Sequence, residues 1–205
     1  MSKSGTVILI FARTPLQGQV KTRLQPVFSE QECLSIYQRL LRRSLITATA
    51  AGQAALQLWV MPDIKHPFIK ELGDTFDVSL HLQQGVDLGE RMLHAATDAL
   101  QHYQRAIIIG CDCPQLQAAD LANAATRLED GHDVVLGPAS DGGYYLLALK
   151  AAHPTLFHNI AWGTETVLET TRTRLRQAQL SCYELQQKDD LDHPDDYRRD
   201  QHLLD

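Results

Sequence analysis

The chain has little of what marks several common protein classes. No segment approaches the length of a membrane span. The apolar run behind Lys3 is short and gives way to Arg13 and Pro15 without a small-residue cleavage pattern, so it does not read as a secretion signal. Cysteine is sparse. Cys33, Cys111, Cys113 and Cys182 form no C-x-x-C pair, which indicates neither a zinc ribbon nor a disulfide scaffold, and free thiols in a reducing cytoplasm are the expectation. The formal net charge of −6 provides no cationic surface for nucleic acid, while leaving room for a small anionic ligand held by a local basic cluster. There is no internal repeat and no Gly/Ser-rich or Pro-rich linker. With 205 residues, 44% of them hydrophobic, one well-buried domain over residues 1–205 is expected.

Familiar catalytic signatures are missing as well. No G-x-x-x-x-G-K-[ST] surrounds Gly18, which argues against a P-loop kinase, and no G-x-G-x-x-G follows the first apolar run. There is no G-x-S-x-G elbow, and none of the nine histidines falls in an H-E-x-x-H pattern. Cys111 and Cys113 flank Asp112 and fit inert buried thiols at a strand end better than a ligand pair.

What is present alternates between strand and helix. Apolar runs at Thr6–Ala12 and Ala106–Ile109 suit strands buried on both faces. Further strands are expected at Leu56–Met61, Val78–Leu82, Val134–Leu136, Tyr144–Leu149 and Leu180–Leu185. Ser29 with Glu32 reads as a capping box opening a helix from about Glu30 to Ala51. Helices are also expected at Pro67–Leu72, Leu88–Tyr103, Ala118–Leu128 and Thr164–Ala178, with a last one opened by Pro194. This order implies an α/β protein of three layers, α/β/α, with a mostly parallel sheet joined by right-handed crossovers.

Ligands of such sheets bind beyond the carboxyl ends of the strands, and three groups of residues are expected there. Arg13, Lys21 and Arg23, on a loop bent by Pro15 and Gly18, offer two guanidinium forks and an ammonium to a polyphosphate; a plain solvated basic loop is the alternative. Asp112 follows the Ala106–Ile109 strand, where a hard cation such as Mg²⁺ would use its carboxylate, or where it simply caps the next helix. In the acidic tail from Lys188 to Asp205, Asp190 or Asp192 could complete that metal site, and a solvated acidic run is the ordinary reading. Asp141-Gly142-Gly143 gives a bend that lets backbone N–H groups approach a ligand, or an ordinary β-turn. Gly89 and Arg91 stand at a helix start, where anions or base edges could be met.

These motifs together resemble the radical-SAM/selenodomain-associated transferase family of the glycosyltransferase-A superfamily. The resemblance is carried by Phe11-Ala12-Arg13, Gly18-x-Val20-Lys21-Thr22-Arg23-Leu24, Asp87-Leu88-Gly89-x-Arg91-Met92 and Gly110-x-Asp112-x-Pro114, followed by Gly137-Pro138-Ala139-x-Asp141-Gly142-Gly143-Tyr144-Tyr145, Trp162-Gly163-Thr164 and Asp190-Leu191-Asp192-x-Pro194-x-Asp196. It implies a Rossmann-like GT-A (nucleotide-diphospho-sugar transferase) fold, similar to phospholactate and molybdenum-cofactor guanylyltransferases. By that likeness Gly18, Lys21 and Arg23 contact nucleotide phosphates, with Arg13, Gly89 and Arg91 also on the nucleotide. Asp112 binds Mg²⁺ or Mn²⁺ with Asp190 or Asp192, and Asp141, Gly142, Gly143 and Thr164 face the second substrate. The first loop lacks the doubled glycine of the molybdenum-cofactor enzymes.

The expectation is a cytoplasmic, metal-dependent transferase using a nucleoside triphosphate or nucleotide sugar and a small-molecule acceptor, with nucleotidyl transfer to an anionic acceptor favoured. Glycosyl transfer with Asp141 as base is the alternative, and a non-catalytic nucleotide-binding module is the third. Oligomeric state is left open.

Overall fold

The computed structural model describes residues 5–52 and 54–204, so Lys3 and Asp205, the end of the acidic tail, lie outside the described residues. The elements run β1 (Thr6–Arg13), α1 (Glu30–Ala50), β2 (Ala55–Met61), α2 (Pro67–Phe76), β3 (Ser79–Leu82), α3 (Leu88–His102) and β4 (Arg105–Ile109). They continue with α4 (Ala118–Glu129), β5 (Val134–Pro138), β6 (Tyr144–Leu149), α5 (Val167–Gln177), β7 (Cys182–Glu184) and α6 (Pro194–Asp200). The sheet order is β3-β2-β1-β4-β6-β5-β7. β6 runs antiparallel to both neighbours, and every other pairing is parallel. The mostly parallel α/β architecture expected from the alternating pattern is therefore the one observed.

β1 is a near-continuous apolar strand because it lies between β2 and β4 with both faces covered. Alternate side chains serve the two layers. Ile8, Ile10 and Ala12 pack with Tyr37, Leu41 and Leu45 of α1, while Val7, Leu9 and Phe11 pack with Met92, Ala96 and Ala99 of α3. Ser29 and Glu32 form the expected capping box at α1.

The chain first builds outward from β1 to β2 and β3, then crosses to place β4 on the other side of β1. That reversal is the topological switch point of the sheet, where a crevice opens beyond the strand ends. The carboxyl ends of β1, β4, β5 and β7 share this edge. Antiparallel β6 starts there, since Tyr144 pairs with Pro138 at the end of β5.

α2 runs one turn past the expected Leu72 to Phe76, β5 extends to Pro138, and several other ends shift by a residue; α5 and β7 differ for tertiary reasons. α5 begins at Val167 and not at Thr164, because Thr164 Oγ1 donates to Ala161 O and the first turn is anchored by Leu168 N–H on Gly142 O. β7 shrinks to three residues because it is an edge strand with β5 as its single partner. Among the described residues, no helix is long and apolar enough to cross a membrane.

Candidate active site

The loop after β1 is anchored before it bears any charge. The Tyr37 hydroxyl, from α1, accepts from Arg13 N–H at 2.7 Å and donates to Arg13 O at 2.9 Å. Thr14 Oγ1 similarly donates to Asp63 O and accepts from Asp63 N–H. Beyond Gly18, Lys21 adopts a left-handed backbone with φ 49° at the start of a short 3₁₀ turn. A non-glycine residue holds that conformation only when its surroundings fix it. Here the fixing partners are three oxygens on Nζ: Asp112 Oδ1 at 2.5 Å, Leu191 O at 2.6 Å and Asp192 Oδ1 at 3.1 Å.

The Lys21 side chain is only 4% exposed. Burial disfavours its charge, but Asp112 and Asp192 outweigh burial and hold the ammonium above the usual lysine range. Arg23 then places Nη1 2.9 Å from Asp192 Oδ2 while its side chain stays 62% exposed.

The carboxylates are held as firmly. β4 ends just before Asp112, whose main-chain O accepts from Leu191 N–H at 2.7 Å, joining the late acidic segment to the central strand. Arg43 of α1 donates to Pro114 O at 2.6 Å. Asp196 accepts from the N–H groups of Asp192 and His193 and so fixes the tail.

Asp190 and Asp192, two positions apart, have opposite environments. Asp192 sits below the ordinary aspartate range although burial opposes this, because Lys21 and Arg23 favour its charged form. Asp190 is pushed up to about 8 by burial and then by the like charges of Asp112, Asp141 and Asp192. Among the described residues, no three His, Cys, Asp or Glu side chains converge as a ready-made metal cage.

Beside Asp112 lies a cavity of about 230 Å³ whose lining includes Asp112, Asp141, Asp190, Gly143 and Thr164. Phe11, Met92, Ile108, Val167 and Trp162 supply apolar walls. The structure thus unites Lys21, Arg23, Asp112 and Asp192 in one network and places Asp190 and Asp141 beside it.

Other residues singled out in the sequence are spent elsewhere. Gly89 is buried, and a side chain there would collide with Phe157 O and the Trp162 indole, so the residue makes room for packing. Arg91 donates to the carbonyls of Gly85 and Val86 and holds the loop before α3. Gly18, at φ +74°, has the Glu30 carboxylate against it, so it serves the turn and faces a negative charge.

In the Asp141-Gly142-Gly143 turn, read either as a backbone approach to a ligand or as an ordinary β-turn, two N–H groups are bonded within the protein. Gly142 N–H bonds to Ala139 O, and Gly143 N–H bonds to Asp141 Oδ1. Among the described residues, the Arg13 guanidinium is exposed and without a polar partner. Tyr37 and Arg43 escaped the functional reading of the sequence, and Trp162 entered it only as part of a motif, without a role. Tyr37 looked like a core position at helical spacing, and nothing local discloses where its hydroxyl reaches.

Sheet order, switch-point crevice and edge-borne charges define an α/β transferase fold of the nucleotide-diphospho-sugar, GT-A type. Over residues 44–164 the chain matches, and it belongs to, the family described as "Uncharacterized protein conserved in bacteria (DUF2064)". It is 29% identical over 182 residues to a 3-phospho-D-glycerate guanylyltransferase of Phenylobacterium zucineum (strain HLK1), covering 86% of this chain and 81% of the relative. A solved structure from Desulfovibrio desulfuricans G20, described as a candidate nucleotide-diphospho-sugar transferase, is similar with TM-score 0.84 and 28% identity over 97% of this chain and 96% of that one. The inositol-1-phosphate CTP transferase from T. maritima shares the fold, with TM-score 0.63 and 10% identity over 99% and 96% of the two chains.

Proposed function

We propose that the protein is a Mg²⁺-dependent nucleotidyltransferase that joins the nucleoside monophosphate part of a triphosphate, GTP first among the candidates, to a small acceptor through an anionic oxygen. The observation that supports this best is the network of Lys21 and Arg23 with Asp112 and Asp192 at the switch-point edge, with Asp190 alongside. The similarity to a guanylyltransferase supports the choice of nucleotide.

The site suits a hard cation. Asp112 and Asp190 crowd like charge, and among the described residues no ion pair reaches Asp190; hard oxygen donors in that state accommodate Mg²⁺, which typically takes one or two carboxylates and completes its shell with phosphate oxygens and water. Asp112 and Asp190 would hold the ion, and Asp192 is left to Lys21 and Arg23. When bound, Mg²⁺ supplies neutralisation of charge on the phosphate oxygens.

The exposed guanidinium groups of Arg13 and Arg23 are the side chains free to grip the β- and γ-phosphates as forks. Lys21 has its three donors committed, so it acts as a fixed positive charge that holds Asp112 in place. In the transfer, an acceptor oxygen bonds to the α-phosphorus as the bond to the α,β-bridging oxygen breaks, and pyrophosphate departs with that electron pair. An anionic nucleophile brings no proton to remove, so no general base is needed.

Glycosyl transfer from a nucleotide sugar is the second reading, favoured by Asp141 lining the cavity, where it could take a proton from an acceptor hydroxyl. Product analysis separates the two. With GTP, Mg²⁺ and candidate acceptors, pyrophosphate release is expected; release of nucleoside diphosphate from a nucleotide sugar overturns the nucleotidyl reading in favour of the second.

A further inference from the structure

We propose that Lys21 is a built-in counter-ion: its ammonium fills a cation position made of three oxygens and so keeps free divalent metal off Asp112 until a triphosphate accompanies the ion. This rests on the nucleotidyl-transfer reading above, in which Asp112 helps to hold Mg²⁺.

The surroundings of the ammonium are those of a hard cation. Two carboxylate oxygens, Asp112 Oδ1 at 2.5 Å and Asp192 Oδ1 at 3.1 Å, and one main-chain oxygen, Leu191 O at 2.6 Å, converge on Nζ. Carboxylate and carbonyl oxygens are the donors that such cations take. The cradle is fixed from outside Lys21. Leu191 N–H donates to Asp112 O and joins the two segments that supply the oxygens, and Asp196 accepts from Asp192 N–H.

Lys21 is held in this position against its own preferences. It takes φ 49° and ψ 38°, a conformation that residues with a Cβ adopt rarely, and only 4% of its side chain stays exposed. A lysine that only neutralised a half-exposed carboxylate could do so with its head in water.

Asp112 itself is 48% exposed, so a free ion is barred by charge and not by cover. Lys21 and Arg23 already set two positive groups against the two negative ones of Asp112 and Asp192. An ion that joins Asp112 must sit beside the ammonium, and repulsion at that range lowers affinity by about tenfold or more. Among the described residues, no three His, Cys, Asp or Glu side chains converge to offset it. A triphosphate changes the balance, because its oxygens bring both negative charge and further donors.

The test titrates Mn²⁺ alone into the parent protein and into Lys21→Met, read by calorimetry and by the shift in Tm. Methionine keeps the apolar stem without the charge. Lys21→Met should bind Mn²⁺ alone about tenfold or more tightly than the parent does. Adding Asp112→Asn to Lys21→Met should remove the gain. Lys21→Gln, neutral but still able to donate to Leu191 O, carries the same expectation and serves if Lys21→Met does not fold.

A lysine that merely stabilises the fold gives the opposite result, equal or weaker Mn²⁺ binding once its charge is lost, and that result overturns the proposal. A gain that survives Asp112→Asn overturns it as well. If none of GTP, ATP, CTP and UTP raises the Tm of the parent protein in the presence of Mn²⁺, the nucleotidyl reading fails. The titrations with Mn²⁺ alone still decide the role of Lys21 in that case, because they need neither nucleotide nor turnover.

Discussion

The two sides of Asp112 are built on opposite terms. Toward β1 and α6, charges are matched: Lys21 satisfies Asp112 and Asp192, and Arg23 takes the second oxygen of Asp192. Toward β6 and α5, Asp190 and Asp141 share a cavity with apolar walls and, among the described residues, no cationic side chain in its lining. The matched side is finished without a ligand, and on the other Asp190 is pushed toward its neutral form by burial and the like charges around it. That difference explains why neighbouring aspartates titrate in opposite directions, Asp192 down and Asp190 up. On the proposed nucleotidyl-transfer reading the two sides would do different work: the guanidinium groups would face anionic oxygens, and the carboxylates beside the cavity would hold a cation.

The strongest way to break the comparison is at the residue both sides share. Asp112→Asn should abolish Mg²⁺-linked thermal stabilisation by GTP and reduce turnover by more than about 100-fold, since even supporting groups around a metal cost 10–100-fold when changed. The fold should survive, because the Asp112 side chain is 48% exposed. Undiminished Mg²⁺-linked stabilisation would remove Asp112 from the metal site.

A smaller effect is expected on the matched side. Lys21→Ala strands Asp112, leaves Asp192 with Arg23 alone and Leu191 O without its donor, and should cost about 1–3 kcal/mol of stability in urea unfolding. The 3–5 kcal/mol typical of a fully buried pair is too much here, because both carboxylates keep contact with water. A loss below experimental error would mean that the pairing adds nothing to the fold.

The smallest effect sharpens the unmatched side through pH. In the metal-free protein the Asp190 carboxyl is raised from an ordinary value near 3.8 to about 8, so the folded chain binds this proton more tightly than the unfolded chain. Its contribution to stability is full below about pH 4 and is lost as pH rises through about 8. Asp190→Asn, which cannot ionise, should therefore gain on the parent protein between those values and level off above. A difference of at least about 2–4 °C in Tm at pH 8.5, equivalent to roughly 1 kcal/mol for a chain of this size, is expected. A gap that does not vary with pH would show that neither burial nor the neighbouring carboxylates raise the Asp190 carboxyl.

Much of the frame was legible because its signals are local. The apolar runs Thr6–Ala12 and Ala106–Ile109 mark strands buried on both faces, and Ser29 with Glu32 marks where α1 begins. Charged residues just past such runs could be placed at the strand ends, and Lys21, Arg23, Asp112 and Asp192 do meet there. Glycines and helix-start residues carry tertiary duties that no local signal discloses. Gly89 looks like a phosphate-approach glycine, yet its missing side chain accommodates Trp162, a residue 73 positions later in the chain (162 − 89). Arg91 looks like an anion ligand, yet it closes its own loop.

The sequence by itself determined which segments become strands and helices and which side chains stand at their carboxyl ends, because period, apolar content and capping act over a few residues. Only the tertiary structure decided which of those charges neutralise one another. Lys21 and Leu191 are 170 residues apart, and their contact exists because β1 and β4 lie side by side while the chain after β7 returns to the same edge. Whether a carboxylate is paired or crowded depends on distance and burial, which arise only when the sheet is assembled. Asp190 and Asp192 are chemically alike as residues and become different acids in the fold, one beside a lysine and the other among carboxylates.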